Sequence, residues 1–327
     1  MRSNGLDIIG RQSQLLFAAI NFGVHANPPL FRTMKKTAVL GLAAVLLLSV
    51  ASSFRGPGEW VPLLDKNLSQ WQTFESYRHQ PGYKGQQPTD AQGRPVPPIG
   101  YDKNEANVFS VVMQDGEPVL RISGEIYGCV FTRQDFTNYD LKLKVKWGTK
   151  KWVPRLDEPR DSGILYNSQG KCGVDYWHSW MLSQEFQVSE HQKGNAMGDF
   201  WCIANSSADI RAAYNPTKDT LKYQPAAAPV RMGNGGPGFC QAVANYELPN
   251  GQWNELELIN VDGKSVHLVN GHVVLAMNNS AYVANGQRQP LTHGKIQLQS
   301  EAAEVFYKSI MIKPLAALPA QYAAYFK

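Results

Sequence analysis

The segment WMLSQEFQVSE, residues 180–190, places Ser183, Glu185, Gln187 and Ser189 on one face of a strand and Leu182, Phe186 and Val188 on the other, because successive strand residues point to opposite sides. A carboxylate set between hydrogen-bonding groups suits proton transfer on the floor of a polar cleft. A solvated strand face looks different in the same chain, where LKLKVKW at 141–147 aligns Lys142, Lys144 and Lys146. The competing reading is that Glu185 bonds a neighbouring strand or bridges a loop. A second alternation, KIQLQSE at 295–301, puts Gln297, Gln299 and Glu301 on one face, with Ile296 and Leu298 opposite. Laid beside the first, it would make Glu301 a partner carboxylate for acid catalysis. Plain solvent-facing polarity is the competing reading, and for Gln297 the better one.

Other residues are candidates to bind or assist. Asp161 opens DSGILY with Arg160 before it. Either could orient a substrate, or the two could form an ordinary ion pair at a strand end. Gly163 within that strand removes a side chain and lets a ligand or backbone approach closely. His267 in SVHLVN titrates in a range suited to proton transfer, although a lone strand histidine is more often a hydrogen-bonded structural residue. Trp177 and Trp180, with Tyr176 and Trp201, lie near the first segment in sequence; their faces could stack on a ligand or pack in a core. His178, His191 and His293 lack ligand spacing, and no Asp-rich loop offers a cluster of oxygen ligands, so no cofactor is expected and a divalent metal stays open without a motif to support it.

The elements that position these residues read as strands. Short alternating or apolar runs recur between turn signals, among them VFSVVMQ, PVLRISG, YDLKLKVKWG, SGILYNS and VFYKSIMIKPL, a pattern that predicts an antiparallel all-β fold. Asp262-Gly263 and Asn270-Gly271 predict two type I′ hairpins joining three consecutive strands. Residues 80–104 and 205–238, rich in Pro, Gly, Ala and polar residues, are expected to be rim loops. The architecture implied is one two-sheet sandwich of jelly-roll type, all-β, with binding on a sheet face and its loops.

The chain has 327 residues and a formal charge of +5. Met34 opens MKKTAVLGLAAVLLLSVASS, with a basic start, an apolar stretch from Ala38 to Val50 and small residues at Ala51 to Ser53. That is the pattern of a secretory signal peptide over 34–53, which makes residues 1–33 an over-extended start. No cysteine follows closely enough to accept a lipid, so a soluble periplasmic or secreted protein is expected. The leader carries most of the basicity, since Arg2, Arg11, Arg32, Lys35 and Lys36 against Asp7 leave the remainder near +1. A nearly neutral body argues against nucleic acid or an anionic membrane as partner. Cys129, Cys172, Cys202 and Cys240 all follow the leader; export permits disulfides, but the pairing is not legible from spacing.

Taken in order, WVPLLDKNLSQW, DSGILY, SQEFQV, GQWNELEL, VNGHVV and GKIQLQSEAAEVFYKSIMIKPL resemble the 3-keto-disaccharide hydrolase family. The resemblance spans about residues 60–315, and a single domain over 58–316 followed by a C-terminal tail at 317–327 is expected. It implies a concanavalin-like jelly roll of two antiparallel sheets and a substrate whose sugar is oxidised to a ketone at C3. One departure is FYKSI at 306–310, where an aromatic-Arg-Asn-Ile pattern is usual, so that Lys308 keeps a basic group and Ser309 replaces Asn.

A C3 ketone acidifies the C2 proton and places the C1 oxygen β to the carbonyl, so the glycosidic bond can break by elimination followed by hydration. That chemistry needs a base for C2, a stabiliser for the enolate and an acid for the leaving group. Glu185 is the candidate base, Glu301 the acid, with His267 as a further proton carrier. Arg133 is the candidate cation for the oxyanion, or else a surface partner of Asp135. Asp161, Arg160, Gln187, Gln299, Trp177 and Trp180 are the candidate substrate contacts. The alternative is a noncatalytic carbohydrate-binding module on the same scaffold. A retaining β-glucanase fits less well, because its usual paired carboxylates at alternate strand positions are here Glu185 and Gln187.

Overall fold

Two face-to-face antiparallel sheets order the chain in a computed structural model that describes residues 58–191 and 196–327. The expected start and signal segments, 1–33 and 34–53, lie outside the described residues. The rest belongs to a unit that runs from Phe54 to Lys327. One sheet runs, edge to edge, through Phe109–Gln114, Glu117–Ile122, Ala303–Pro314, Tyr139–Lys151, Asn254–Val261, Lys264–Val269, His272–Ala284, Ser206–Asn215 and Pro229–Gly233. The other runs through Gly100–Tyr101, Trp71–Glu75, Gly128–Thr132, His293–Ser300, Asp161–Gln169, Leu182–Ser189, Phe200–Ile203 and Phe239–Gln241. The fold is thus an all-β jelly-roll sandwich.

Alternation decides what each sheet buries. Leu141, Leu143 and Val145 from the first sheet meet Ile164, Tyr166, Phe186, Val188, Ile296 and Leu298 from the second in one apolar core. Lys142, Lys144 and Lys146 take the outer side, half exposed. There Trp60 lies under Lys142 and Lys313, and Trp253 under Lys146 and Lys308. Both predicted tight turns are present: Asp262 and Gly263 have φ of 48° and 74°, Asn270 and Gly271 of 49° and 81°, the double left-handed geometry of a type I′ hairpin.

Two expectations need correction. Residues 205–238 are not a rim loop, because they contain the strands Ser206–Asn215, Thr220–Tyr223 and Pro229–Gly233. Ser206, Ala208, Ile210 and Ala212 alternate inward, and side chains this small hide the period in a hydrophobicity pattern. The Ser206–Asn215 strand also turns a corner, pairing in the first sheet and then with Thr220–Tyr223, which runs parallel to Phe239–Gln241 in the second. The C-terminal residues expected as a tail fold into a 3₁₀ turn over Ala320–Phe326, whose Tyr322 is buried in the core.

The departure at Ser309 also has a physical setting. It sits at φ 50° in a register shift between Lys308 and Met311, a left-handed conformation that Asn tolerates better than Ser. Ser309→Asn is expected to stabilise the fold by about 0.5 kcal/mol, raising Tm by about 1–2 °C in a thermal melt.

Candidate active site

The outer face of the second sheet carries three rows of side chains across three adjacent strands. Glu185 stands opposite Leu165, Gln187 opposite Gly163, and Ser189 opposite Asp161. On the other side of Asp161–Gln169, Gln297 stands opposite Leu165 and Glu301 bridges to Asp161. The two alternating segments therefore flank DSGILY on one face. Gly163 lies at the centre. A Cβ built there would fall 2.3 Å from Oε1 of Glu185 and 2.6 Å from Oε1 of Gln299, so the absence of a side chain lets these two groups meet over the backbone.

Arg155, from the segment preceding the Asp161–Gln169 strand, closes the other end. Its guanidinium donates to Glu301 Oε1 at 2.8 Å and to Asp161 Oδ2 at 2.6 Å, a two-carboxylate clamp. Gln187 donates its amide to the second oxygen of Asp161. Among the described residues, three carboxyls thus share a buried site with a single arginine, and their pKa values follow from that imbalance. Desolvation raises Asp161 to about 6, with Arg155 pulling the other way. Desolvation and the Asp161 charge raise Glu301 to about 8. Glu185 lies well above the usual carboxyl range, first through burial and then through Glu301, Asp161 and Asp175. Burial opposes the charge on Arg155, but Asp161 and Glu301 outweigh it and hold the guanidinium above its ordinary value.

Glu185 is only 3% exposed, so it does not lie on an open groove floor as the alternation alone implied. Arg155 closes the Asp161 and Glu301 end. The turn from Cys172 to Met181 closes the opposite end: Met181 donates its N–H to Gln297 and the Trp180 indole donates to the Gly128 carbonyl. Asp175 fixes that turn by accepting the N–H groups of Trp177, Ser179 and Trp180. Tyr127, whose buried hydroxyl makes no hydrogen bond of regular geometry, stands between the two covers, near Arg155 and with Trp177 and Trp180 at ring distances of 5.7 and 6.3 Å.

Of the expected site residues, Glu185, Gln187, Asp161, Gln299 and Glu301 come together. Gln299 faces Glu185 without a hydrogen bond of regular geometry. Arg160 does not join them, because it pairs with Glu190 at 2.8 Å while Arg155 takes Asp161. Trp180 is a wall rather than an open platform, at 3% exposure. Trp177 is half buried in the aromatic cluster with Tyr83 and Tyr127. The exposed aromatic beside the carboxyl is Trp201, 39% exposed and directly across the strand pair from Glu185.

Two expected residues lie elsewhere. Arg133 follows the end of the Gly128–Thr132 strand, is exposed, and donates Nε to the Ser69 carbonyl. His267 belongs to the first sheet and points into the core, fully buried, stacked on Phe186 at 4.3 Å. Its ring nitrogens meet the Tyr166 hydroxyl and the Gly198 carbonyl, both at 3.1 Å. Burial lowers its pKa from 6.5 to about 3, so it stays neutral. His267→Ala is expected to leave the site chemistry intact and to cost about 2–4 kcal/mol in denaturant unfolding at pH 7. A group with a depressed folded pKa contributes its stability above the unfolded pKa. The cost should therefore shrink as pH falls from 6.5 toward 3.

The residues that sequence reasoning missed are Arg155 and Tyr127. Arg155 stands six positions before Asp161 in the irregular run WVPRLDEPRD, where no periodicity marks it. The only signal was a demand of the site itself, since two buried carboxyls require a cation.

The match to a family model makes this a carbohydrate-active domain. Residues 59–313 match the model of the 3-keto-alpha-glucoside-1,2-lyase-like domain, and the chain belongs to that family. Among solved structures, it is similar to a protein of Parabacteroides distasonis ATCC 8503 provisionally named a glycosyl hydrolase, at 16% identity and a TM-score of 0.42, over 79% of this chain and 100% of that one. It is also similar to a Bacillus subtilis protein of unknown function with a galectin-like fold, at 12% identity and 0.40, over 81% and 98%. A third is the Bacillus subtilis carbohydrate binding module CBM66, at 7% identity and 0.37, over 63% and 91%. A comparison with curated proteins finds no match.

Proposed function

We propose that the protein is an exported enzyme that cleaves 3-keto-glycosides by elimination and hydration, with Glu185 as its principal proton carrier. The observation that carries this reading is the placement of the Glu185 carboxyl over the side-chain-free Gly163, facing the amide of Gln299. In the ionised form Glu185 takes the C2 proton, and the electron pair moves into a C2–C3 enolate. The guanidinium of Arg155 and the amide of Gln299 supply the positive edges that favour the enolate oxygen. When the ketone reforms, the C1–C2 double bond forms, the C1–O bond breaks, and Glu301 gives its proton to the departing oxygen. Water then adds at C1 and a proton returns to C2, giving the 3-keto sugar.

The pH dependence follows from the crowding of carboxyls. Burial and the neighbouring charges of Glu301, Asp161 and Asp175 disfavour the ionised form of Glu185. Raising the pH populates it, while Glu301 remains a proton donor until about 8. We expect kcat/KM to rise from pH 5 to pH 8, measured with a 3-keto disaccharide at constant ionic strength. A rate that falls over this range contradicts the assignment. The decisive experiment is turnover in heavy water. Deuterium at C2 of the released sugar supports proton abstraction, whereas release without label removes it. Sugar binding without any turnover identifies the site as lectin-like instead.

A further inference from the structure

The Sγ atoms of Cys129 and Cys172 lie 3.7 Å apart as free thiols. Cys129 sits on Gly128–Thr132 opposite Gln299, the amide that faces Glu185. Cys172 opens the turn that carries Asp175, Trp177, Trp180 and Met181 over the same face. The Cys172 N–H is held by the Tyr101 hydroxyl at 2.9 Å, so the backbone already presents the thiol to its partner. Phe74, Phe131, Leu165, Trp180 and Met181 surround the pair in an apolar pocket of their own. Nothing in the proton chemistry uses either sulfur.

We propose that Cys129 and Cys172 form an intramolecular disulfide that fastens the covering turn to the strand beside the catalytic cluster. Side-chain rotation has to bring the sulfurs from 3.7 Å to a bond of about 2.05 Å, within reach for thiols already in contact. The reaction is exchange with a disulfide, either of low molecular weight or carried by an oxidoreductase. Cys172, 9% exposed against 0% for Cys129, meets the oxidant first. Its thiolate attacks one sulfur of the oxidant and releases the first thiol, leaving a mixed disulfide. The Cys129 thiolate then attacks Cys172 and releases the second thiol. Two protein thiols are oxidised, one external disulfide is reduced to two thiols, and the two protons pass to those thiols. The remaining pair, Cys202 and Cys240, stays out of the reaction.

The bridge closes a loop of 42 intervening residues and constrains the unfolded chain, raising Tm by roughly 5–10 °C. It also limits opening of the turn over Glu185. That second consequence rests on the proposed activity, whereas the first does not. The test is treatment of the folded full chain with oxidised glutathione, followed by mass measurement and peptide mapping without reduction. The expected result is a mass loss of two hydrogens, a cross-linked peptide holding Cys129 and Cys172, and a Tm that falls again on reduction. Cys172→Ala should abolish all three changes, while Cys202→Ala with Cys240→Ala should leave them. Four free thiols after treatment, a persistent glutathione adduct at Cys172, or a bridge between Cys202 and Cys240 overturns the proposal. A bridge that forms without changing turnover leaves the disulfide standing and removes only its influence on the turn.

Discussion

Replacing Glu185 by Gln is expected to lower kcat on a 3-keto-glycoside by about 10³-fold, while KM and the fold are retained. The exchange keeps the shape of the side chain and removes its ability to accept the C2 proton. A binding module behaves differently, because the amide can still hydrogen-bond a sugar and affinity changes little. Steady-state kinetics with parallel binding measurements separate the two, and a variant that retains a tenth of wild-type turnover excludes Glu185 as the base. Stability moves the other way from activity. The folded-state pKa of Glu185 lies far above the reference 4.5, so above that pH the folded protein holds a proton that the unfolded chain releases. Wild type therefore loses stability from this group as pH rises, at about 1.4 kcal/mol per pH unit until the folded pKa is reached. Gln does not ionise, so Glu185→Gln should gain on wild type as pH rises above the reference 4.5 in chemical denaturation. Loss of function with increased stability marks a residue kept for chemistry.

Arg155→Met is expected to have the largest effect on folding. The methionine fills much of the volume but leaves Asp161 and Glu301, 5% and 6% exposed, with no cation between them. Breaking such a buried pair costs about 3–5 kcal/mol at pH 8, because the remaining charges have lost their water and their partner. The carboxyls can respond by keeping their protons. Asp161 and Glu301 already sit near 6 and 8, and losing the guanidinium raises both further. The deficit should therefore shrink as pH falls below about 6, where both carboxyls are neutral in either protein and the wild-type arginine lacks anions. Denaturant melts of both proteins at pH 5 and pH 8 check this, and a deficit independent of pH would show that Arg155 acts through packing alone. Activity should be lost at both pH values, since the enolate has lost its cation.

The sequence revealed the half of the site that strands carry. Glu185, Gln187, Gln299, Glu301 and Asp161 were legible because a period of two sorts side chains by face, and a polar face with few lysines stood out against Lys142, Lys144 and Lys146. The I′ hairpins were legible because Asp-Gly and Asn-Gly carry their geometry locally. What depends on tertiary contact was not legible. Arg155 lies in an irregular segment and earns its place only through two carboxyls that arrive from other strands. The burial of Glu185 could not be foreseen either, since its covers come from residues whose own pattern says only loop. His267 shows the converse error: a polar residue in an apolar strand was open to a chemical role, but its ring is satisfied inside the core by Tyr166 and Gly198. The Ser206–Asn215 strand was missed because alanine and serine carry too little hydrophobic contrast to display alternation.

Gly163 has a bearing on how this protein can change over time. Any side chain there must displace either Glu185 or Gln299, so this position offers no route by which new sugar preferences could arise through gradual enlargement. Diversity among descendants has to come from the segments lying over the sheet. Position 163 is held to glycine by the space that one hydrogen atom leaves open.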